Sequence, residues 1–205
     1  MLCSNTTAST PANALFYLAR CTDVQSKLRK LLDEVMPLGY TEWSYTAVKN
    51  ISNIHNVITE TLRLKPPVIQ GVPRETLAQG LQISDVWVPG HVNVLVPTIS
   101  IQRDSRWWKK PNEFVPKHWG DCRDEMGTHE ASWLPFQRGM HHCAGKDLAY
   151  LTFRTTLSAI NHDFQVSFAL EESEEGKTAF DERFLSSMLM TLRPLHLIFT
   201  ARHGR

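Results

Sequence analysis

A chain of 205 residues, 42% apolar and 21% charged, is long enough to bury a core and lacks the bias of a disordered segment. Its net charge of +1, from 22 basic against 21 acidic residues, leaves no electrostatic footprint for nucleic acid. No apolar run of about 18 residues is present to span a bilayer, and the polar start Met1-Leu2-Cys3-Ser4-Asn5 lacks the basic region of a secretory signal. The four cysteines, Cys3, Cys21, Cys122 and Cys143, have no paired spacing, which suits a reducing compartment rather than a disulfide framework.

In chain order, residues 3–20 and 23–36 are predicted as helices joined around Cys21-Thr22-Asp23, and Thr46 to Leu64 as a third that Pro66-Pro67 stops. Val68 to Val96 alternates and is broken by Gly71, Gly80 and Pro89-Gly90, which predicts short antiparallel strands and hairpins. Pro97 to Trp133, rich in Trp, Pro and charge, reads as a short helix and a packed meander. Trp107, Trp108, Trp119 and Trp133 there serve as packing anchors rather than base-stacking platforms. The basic residues Arg103, Arg106, Lys109, Lys110 and Lys117 form a solvated loop, or a surface for an acidic redox partner. A helix over 144–161 follows, then strands at Phe164–Phe168 and Leu195–Thr200, with Glu171 to Lys177 as a charged, flexible hairpin or loop. No internal repeat and no linker divides the chain.

The chemistry concentrates at Cys143, with Gly139 four residues before it and Gly145 two after. A thiolate that binds a metal needs backbone N–H donors and a following helix N-terminus to lower its pKa, and the glycines let the chain turn tightly. Phe136, seven residues before the cysteine, is placed to shield the sulfur. The same pattern also suits an ordinary buried cysteine in a turn. Glu60 and Arg63 lie three residues apart on a helix with apolar neighbours, within reach of each other. Arg63, fixed at the helix end, is a candidate to bond the backbone of the cysteine loop. A zinc site drawing on Cys122, His129, His141, His142 or Cys143 has no C-x-x-C or H-x-x-x-H spacing behind it.

Together, Glu60-x-x-Arg63 and Phe136-x-x-Gly139-x-His141-x-Cys143-x-Gly145 resemble two patterns of the cytochrome P450 family of haem-thiolate monooxygenases, in that family's order and separation. Trp107 to Trp119 is similar to the family segment ending F-x-P-E-R-W. Ser4-Asn5-Thr6-Thr7-Ala8, with Leu15 to Leu32 after it, looks like the central oxygen-binding helix from its kink onward. The resemblance runs from about Leu2 to about His203 and is strongest to fungal secondary-metabolism members. It implies an α+β, mainly helical fold: the C-terminal half of the P450 fold with short antiparallel sheets, residues 1–205 forming part of one domain that begins within the central helix.

The resemblance implies haem b as cofactor, with Cys143 as iron ligand and Phe136, Gly139, His141, Gly145 and Arg74 around it. Thr6 and Asn5 would assist oxygen activation, and Glu60, Arg63 and His118 would hold the loop. It further implies a small organic substrate and an NADPH-dependent reductase. Localisation would be intracellular, at the endoplasmic reticulum if a longer parent carries an anchor and otherwise cytoplasmic. Three positions depart from the family. His141 stands for an arginine that pairs with a haem propionate, which predicts weaker propionate binding. His118 stands for the arginine completing a triad, with Lys117 for the glutamate before it, which predicts a looser but formed network. Asn5 stands for the acid before the threonine, and an amide cannot titrate, which puts the proton relay in doubt. Thr6 also suits a backbone cap, and Arg74 an exposed strand position. The segments Ile69 to Pro73 and Ser186 to Met190 correspond to family stretches near the pocket. Since relatives are more than twice as long, the alternative is a truncated, inactive haem-binding or interaction fragment, with helix faces such as Leu15, Leu18 and Leu28 lacking part of their packing.

Overall fold

The computed structural model describes residues 2–37, 43–120, 122–126, 129–183, 185–186 and 189–202. The predicted end of the resemblance at His203, and residues 187 and 188 of the segment Ser186 to Met190, lie outside these.

Helix α1 spans Leu2–Arg20 and carries Pro11 in its interior. Proline has no N–H to give the turn before it, and just upstream the hydroxyls of Ser9 and Thr10 bond the Thr6 carbonyl at 3.2 and 3.4 Å. Its second half is buried at Leu15, Phe16, Tyr17 and Leu18. Helix α2, Thr22–Val35, is amphipathic and buries Gln25, Leu28 and Leu32. Leu15, Leu18 and Leu28 therefore do not lack packing, contrary to expectation: they join one core cluster with Ile54, Val57, Ile58, Phe153 and Leu157.

The third helix is two. α3 covers Tyr45–Val48 and α4 covers Ser52–Leu64, because Ile51 takes an extended conformation with ψ 100° after a turn closed by its N–H on Val48. From Val57 to Leu64 every residue of α4 is buried, which makes this helix the centre on which the site is built. Its end at Leu64, ahead of Pro66-Pro67, is as predicted.

Eight short strands pair as four antiparallel couples among the described residues: β1 (Arg74–Glu75) with β4 (Asn93–Val94), β2 (Leu81–Ile83) with β3 (Val86–Val88), β5 (Phe164–Phe168) with β8 (Leu197–Ala201), and β6 (Leu185–Ser186) with β7 (Met190–Thr191). Gly71, at φ +80°, sits where an added Cβ would lie 2.1 Å from the Val96 carbonyl oxygen, so the chain passes there only without a side chain. After the short α5 (Thr98–Gln102), the described residues up to Trp133 run through 3-10 turns at Pro116–Trp119 and Glu130–Ser132, the expected meander, and a third such turn at Gly139–His141 lies beyond it. α6 follows at Lys146–Asp163.

The charged stretch at 171–177 is corrected. Its second half opens a helix, α7 (Glu174–Glu182), capped by the Ser173 hydroxyl accepting the Gly176 N–H at 3.0 Å and favoured by Glu174 and Glu175 in its first turn. Phe180 anchors it against Phe16, Tyr17 and Leu64, and Asp181 receives Tyr17, Arg20 and Lys65 at 3.1, 2.7 and 2.9 Å. Two further ties span the chain. The Gln25 amide holds Leu18 and Val166 carbonyls at 2.8 and 2.9 Å, and Arg202 holds Asp33 at 2.6 Å together with the Asn161 and His162 carbonyls. The result is an α+β fold, mainly helical.

Candidate active site

Three residues apart on α4, Glu60 and Arg63 form a two-pronged ion pair, Nε to Oε2 and Nη2 to Oε1 at 2.9 Å each, with both side chains fully buried. Such a pair is tolerable in an interior only if its remaining hydrogen-bonding capacity is filled. Arg63 gives its other N–H groups to the carbonyls of Gln102, Pro111 and Glu113 at 2.9, 2.6 and 2.9 Å. Glu60 also accepts from the Val115 N–H at 2.8 Å, meets His118 Nδ1 at 3.0 Å and accepts from the Trp119 indole at 3.0 Å. Burial alone would raise the Glu60 pKa, but hydrogen bonds from Arg63 and His118 outweigh it and hold the carboxyl below its usual range.

Two expectations change here. Arg63 bonds the meander, not the cysteine loop. Nor is the network loosened by His118: the ring is fully buried, and its Nε2 faces the Lys109 carbonyl at 2.8 Å while Nδ1 faces Glu60. The link to the cysteine loop is made by Gln102, which the sequence reading missed. Its amide nitrogen donates to the Leu62 and Arg63 carbonyls at 3.0 and 2.9 Å, and its oxygen accepts the Leu134 N–H at 2.6 Å. Four of the five basic residues are spent locally: Arg103 on the Leu64 carbonyl, Arg106 on Asp104, Lys109 on the Glu125 carbonyl and Lys110 on Glu113.

The cysteine loop leaves Leu134 through a turn in which Gln137 and Gly139 take φ +59° and +76°. At Gly139 an added Cβ would meet nothing within 4 Å, so the left-handed backbone, not crowding, calls for glycine. The turn ends where the Cys143 N–H bonds the Phe136 carbonyl at 2.8 Å, and the Cys143 carbonyl accepts from Lys146, the first residue of α6, at 3.3 Å. Cys143 thus stands just ahead of a helix N-terminus, exposed rather than buried in a turn. A Cβ on Gly145 would lie 3.8 Å from its sulfur.

A cleft of about 550 Å³ opens in front of that sulfur. Thr6 from α1, Arg74 from β1, and Phe136, His141, Cys143 and Gly145 from the loop all line it, with Leu62, Val68, Val72, Leu148 and Phe153 among its apolar walls. Of the predicted pocket segment Ile69 to Pro73, Val72 lines it, with Pro67 and Val68 just before that segment. Arg74 also donates to the Pro73 carbonyl at 3.1 Å. Asn5 is exposed and outside the lining residues, Gly139 shapes the loop without lining the cleft, and Glu60, Arg63 and His118 form the buried support. Leu148 of α6, 68% exposed, faces this space. Among the described residues no three of His, Cys, Asp and Glu gather as a metal-binding set, and no described helix is long and apolar enough to cross a membrane.

The family model for Cytochrome P450 matches residues 3–197. The chain belongs to the cytochrome P450 family. It is 37% identical over 199 residues to the cytochrome P450 monooxygenase eupD of a Phoma species, covering 97% of this chain and 67% of that protein. It is 35% identical to the cytochrome P450 monooxygenase orf5 of Eupenicillium brefeldianum, covering 98% of this chain and 39% of the relative. Against tryprostatin B 6-hydroxylase of Aspergillus fumigatus it is 32% identical, with 98% and 35% covered. The chain therefore spans little more than a third of the length of two of these fungal P450 relatives and about two thirds of the other. Membership in the P450 family implies a haem cofactor. The donor set suits it: a thiol in an apolar cleft, with an arginine and a histidine among the walls to meet carboxylates.

Proposed function

We propose that this chain forms the thiolate-bearing part, the C-terminal half of a P450 domain, of a haem b monooxygenase that inserts one oxygen atom into a small organic substrate of fungal secondary metabolism. One observation carries the reading: Thr6, Arg74, Phe136, His141, Cys143 and Gly145, scattered over the sequence, line one apolar cleft.

Cys143 would ligate the haem iron, held by its N–H bond to the Phe136 carbonyl and placed just ahead of the α6 N-terminus. When bound, haem supplies the dioxygen-activating chemistry, and a thiolate ligand favours O–O cleavage. Arg74 and His141, both lining the cleft, would meet the haem propionates. Phe136 covers one wall of the cleft beside the sulfur. Thr6 presents its hydroxyl for proton delivery, with Asn5 next to it as a hydrogen-bonding rather than titrating neighbour. The Glu60–Arg63–His118 network, through Gln102, fixes the point at which the cysteine loop begins. Electrons come from an NADPH-dependent reductase.

The test is to load the chain with haem, reduce it, add carbon monoxide and record the difference spectrum beside Cys143→Ser. A red-shifted thiolate Soret band that the serine variant loses is expected. A band unchanged in the variant would overturn the ligand assignment, and haem binding without turnover would leave a binding fragment.

A further inference from the structure

A line of aromatic rings runs from the cleft wall into the meander. The Phe136 ring centroid is 6.2 Å from that of Trp133, Trp133 is 5.7 Å from Trp119, and Trp119 is 5.4 Å from Trp108. Packing accounts for rings in contact, but the charges set against them differ from ring to ring.

The Trp119 indole N–H donates to the Glu60 carboxylate at 3.0 Å. An anion at that position stabilises positive charge left on the ring and offers a base for the acidified N–H proton, so an electron leaves more readily. Trp108 has the opposite environment, with the Arg63 guanidinium carbon 5.1 Å from its ring centroid, a cation that opposes a second positive charge. Trp133 has neither charge beside its N–H, which donates to the neutral Thr59 carbonyl at 3.2 Å. An electron vacancy arising at the cleft therefore runs downhill from Trp133 to Trp119 and does not pass on to Trp108. Trp119 is half-buried and lines two depressions of the surface, where a soluble reductant can reach it.

We propose that Trp133 and Trp119 form a one-electron relay that drains oxidising equivalents from the cleft to the surface and so spares the cysteine loop. The co-reactants are a hydroperoxide activated in the cleft and a soluble one-electron donor of the ascorbate class. The peroxide takes two electrons and two protons and leaves as an alcohol and water. Each electron comes from Trp133, which is refilled from Trp119. Trp119 lends its Nε1 proton to Glu60 and takes it back when one donor molecule returns an electron; each donor releases its own proton to solvent, solvent supplies the two protons that the peroxide takes, and two donors close each peroxide. Only the source of the oxidant rests on the haem reading.

The relay is testable without haem. In a chain carrying Cys3, Cys21 and Cys122→Ser, a ruthenium polypyridyl photo-oxidant is attached to Cys143, flashed with a soluble quencher, and oxidised tryptophans are mapped by peptide mass spectrometry alongside transient absorption. Oxidation at Trp133 and Trp119 is expected, with Trp108 spared. Trp133→Phe should lose the Trp119 signal, and Trp119→Phe should leave the radical on Trp133. Products confined to Trp87 and Trp107, which are 58% and 39% exposed, would overturn the relay, as would Trp119 oxidation unchanged in Trp133→Phe. If a variant does not fold, the map in the parent chain still decides. Repeating the map with haem and hydrogen peroxide separates the two readings: a relay seen with the tether but no haem uptake would sink the haem reading alone.

Discussion

His118 Nδ1 lies 3.0 Å from Glu60 Oε1 in a space closed to water, with the Lys109 carbonyl 2.8 Å from the other ring nitrogen and the Trp108 ring edge-on at 5.7 Å. Both neighbours are acceptors, so His118→Ala leaves a carbonyl and part of a carboxylate unserved in the interior. A loss of about 1–3 kcal/mol is expected in urea unfolding. His118→Asn, whose amide can still donate to Glu60, should recover part of it. Equal loss in the two variants would mean that ring volume, not the bond to Glu60, matters.

Glu60 ties the network to pH. Its carboxyl is held low in the folded chain by the Arg63 and His118 hydrogen bonds and returns to the ordinary carboxylate range on unfolding. Its contribution is therefore present above the unfolded value and lost as pH falls through the folded one. Glu60→Gln should cost about 3–5 kcal/mol at neutral pH, and the gap between the urea midpoints of the two chains should narrow on acidification. A gap independent of pH would contradict this.

Gly71→Ala should destabilise the turn that enters the cleft wall at Val72. The left-handed conformation alone costs an alanine about 1–2 kcal/mol, and the Val96 carbonyl must also move aside. Hydrogen exchange at Ile99, whose N–H bonds the Ile69 carbonyl at 3.0 Å, should quicken in the variant. Unchanged exchange would show that the strain is absorbed elsewhere.

Ser173→Ala removes the α7 cap and should cost that helix about 1 kcal/mol. Limited proteolysis should cut within Glu174–Glu182 faster than in the native chain while α4 stays intact. Equal cutting rates would assign α7's stability to Phe180 and Asp181 instead.

What was legible in the sequence was local. The cysteine loop and the Glu60–Arg63 pair show because each function needs fixed residue types at short spacing, and α1, α2 and α6 show because their apolar faces repeat. Arg63's true partners were hidden, since backbone carbonyls of Gln102, Pro111 and Glu113 have no side-chain signature. Gln102 was hidden for the same reason: a glutamine in a five-residue helix looks like any surface amide until its three backbone partners are in place. The break before α4 was masked because Val48, Ile51 and Ile54 keep apolar residues at helical spacing through the turn. At α7 a charge run drew the eye from a cap signal that was present, a serine followed by two glutamates.

The tie between Asp33 and Arg202 sets an order for biosynthesis. A ribosome releases Asp33 long before Arg202, and β5 waits as well, because its partner β8 comes some thirty residues later. The α1–α2 pair therefore emerges ahead of α6 and β5, whose Phe153, Leu157 and Val166 complete its core cluster, an interval in which exposed hydrophobic surface invites aggregation. Removing β8 together with Arg202 would leave β5 and Asp33 without these partners, so it should lower soluble yield more than the loss of one ion pair would suggest.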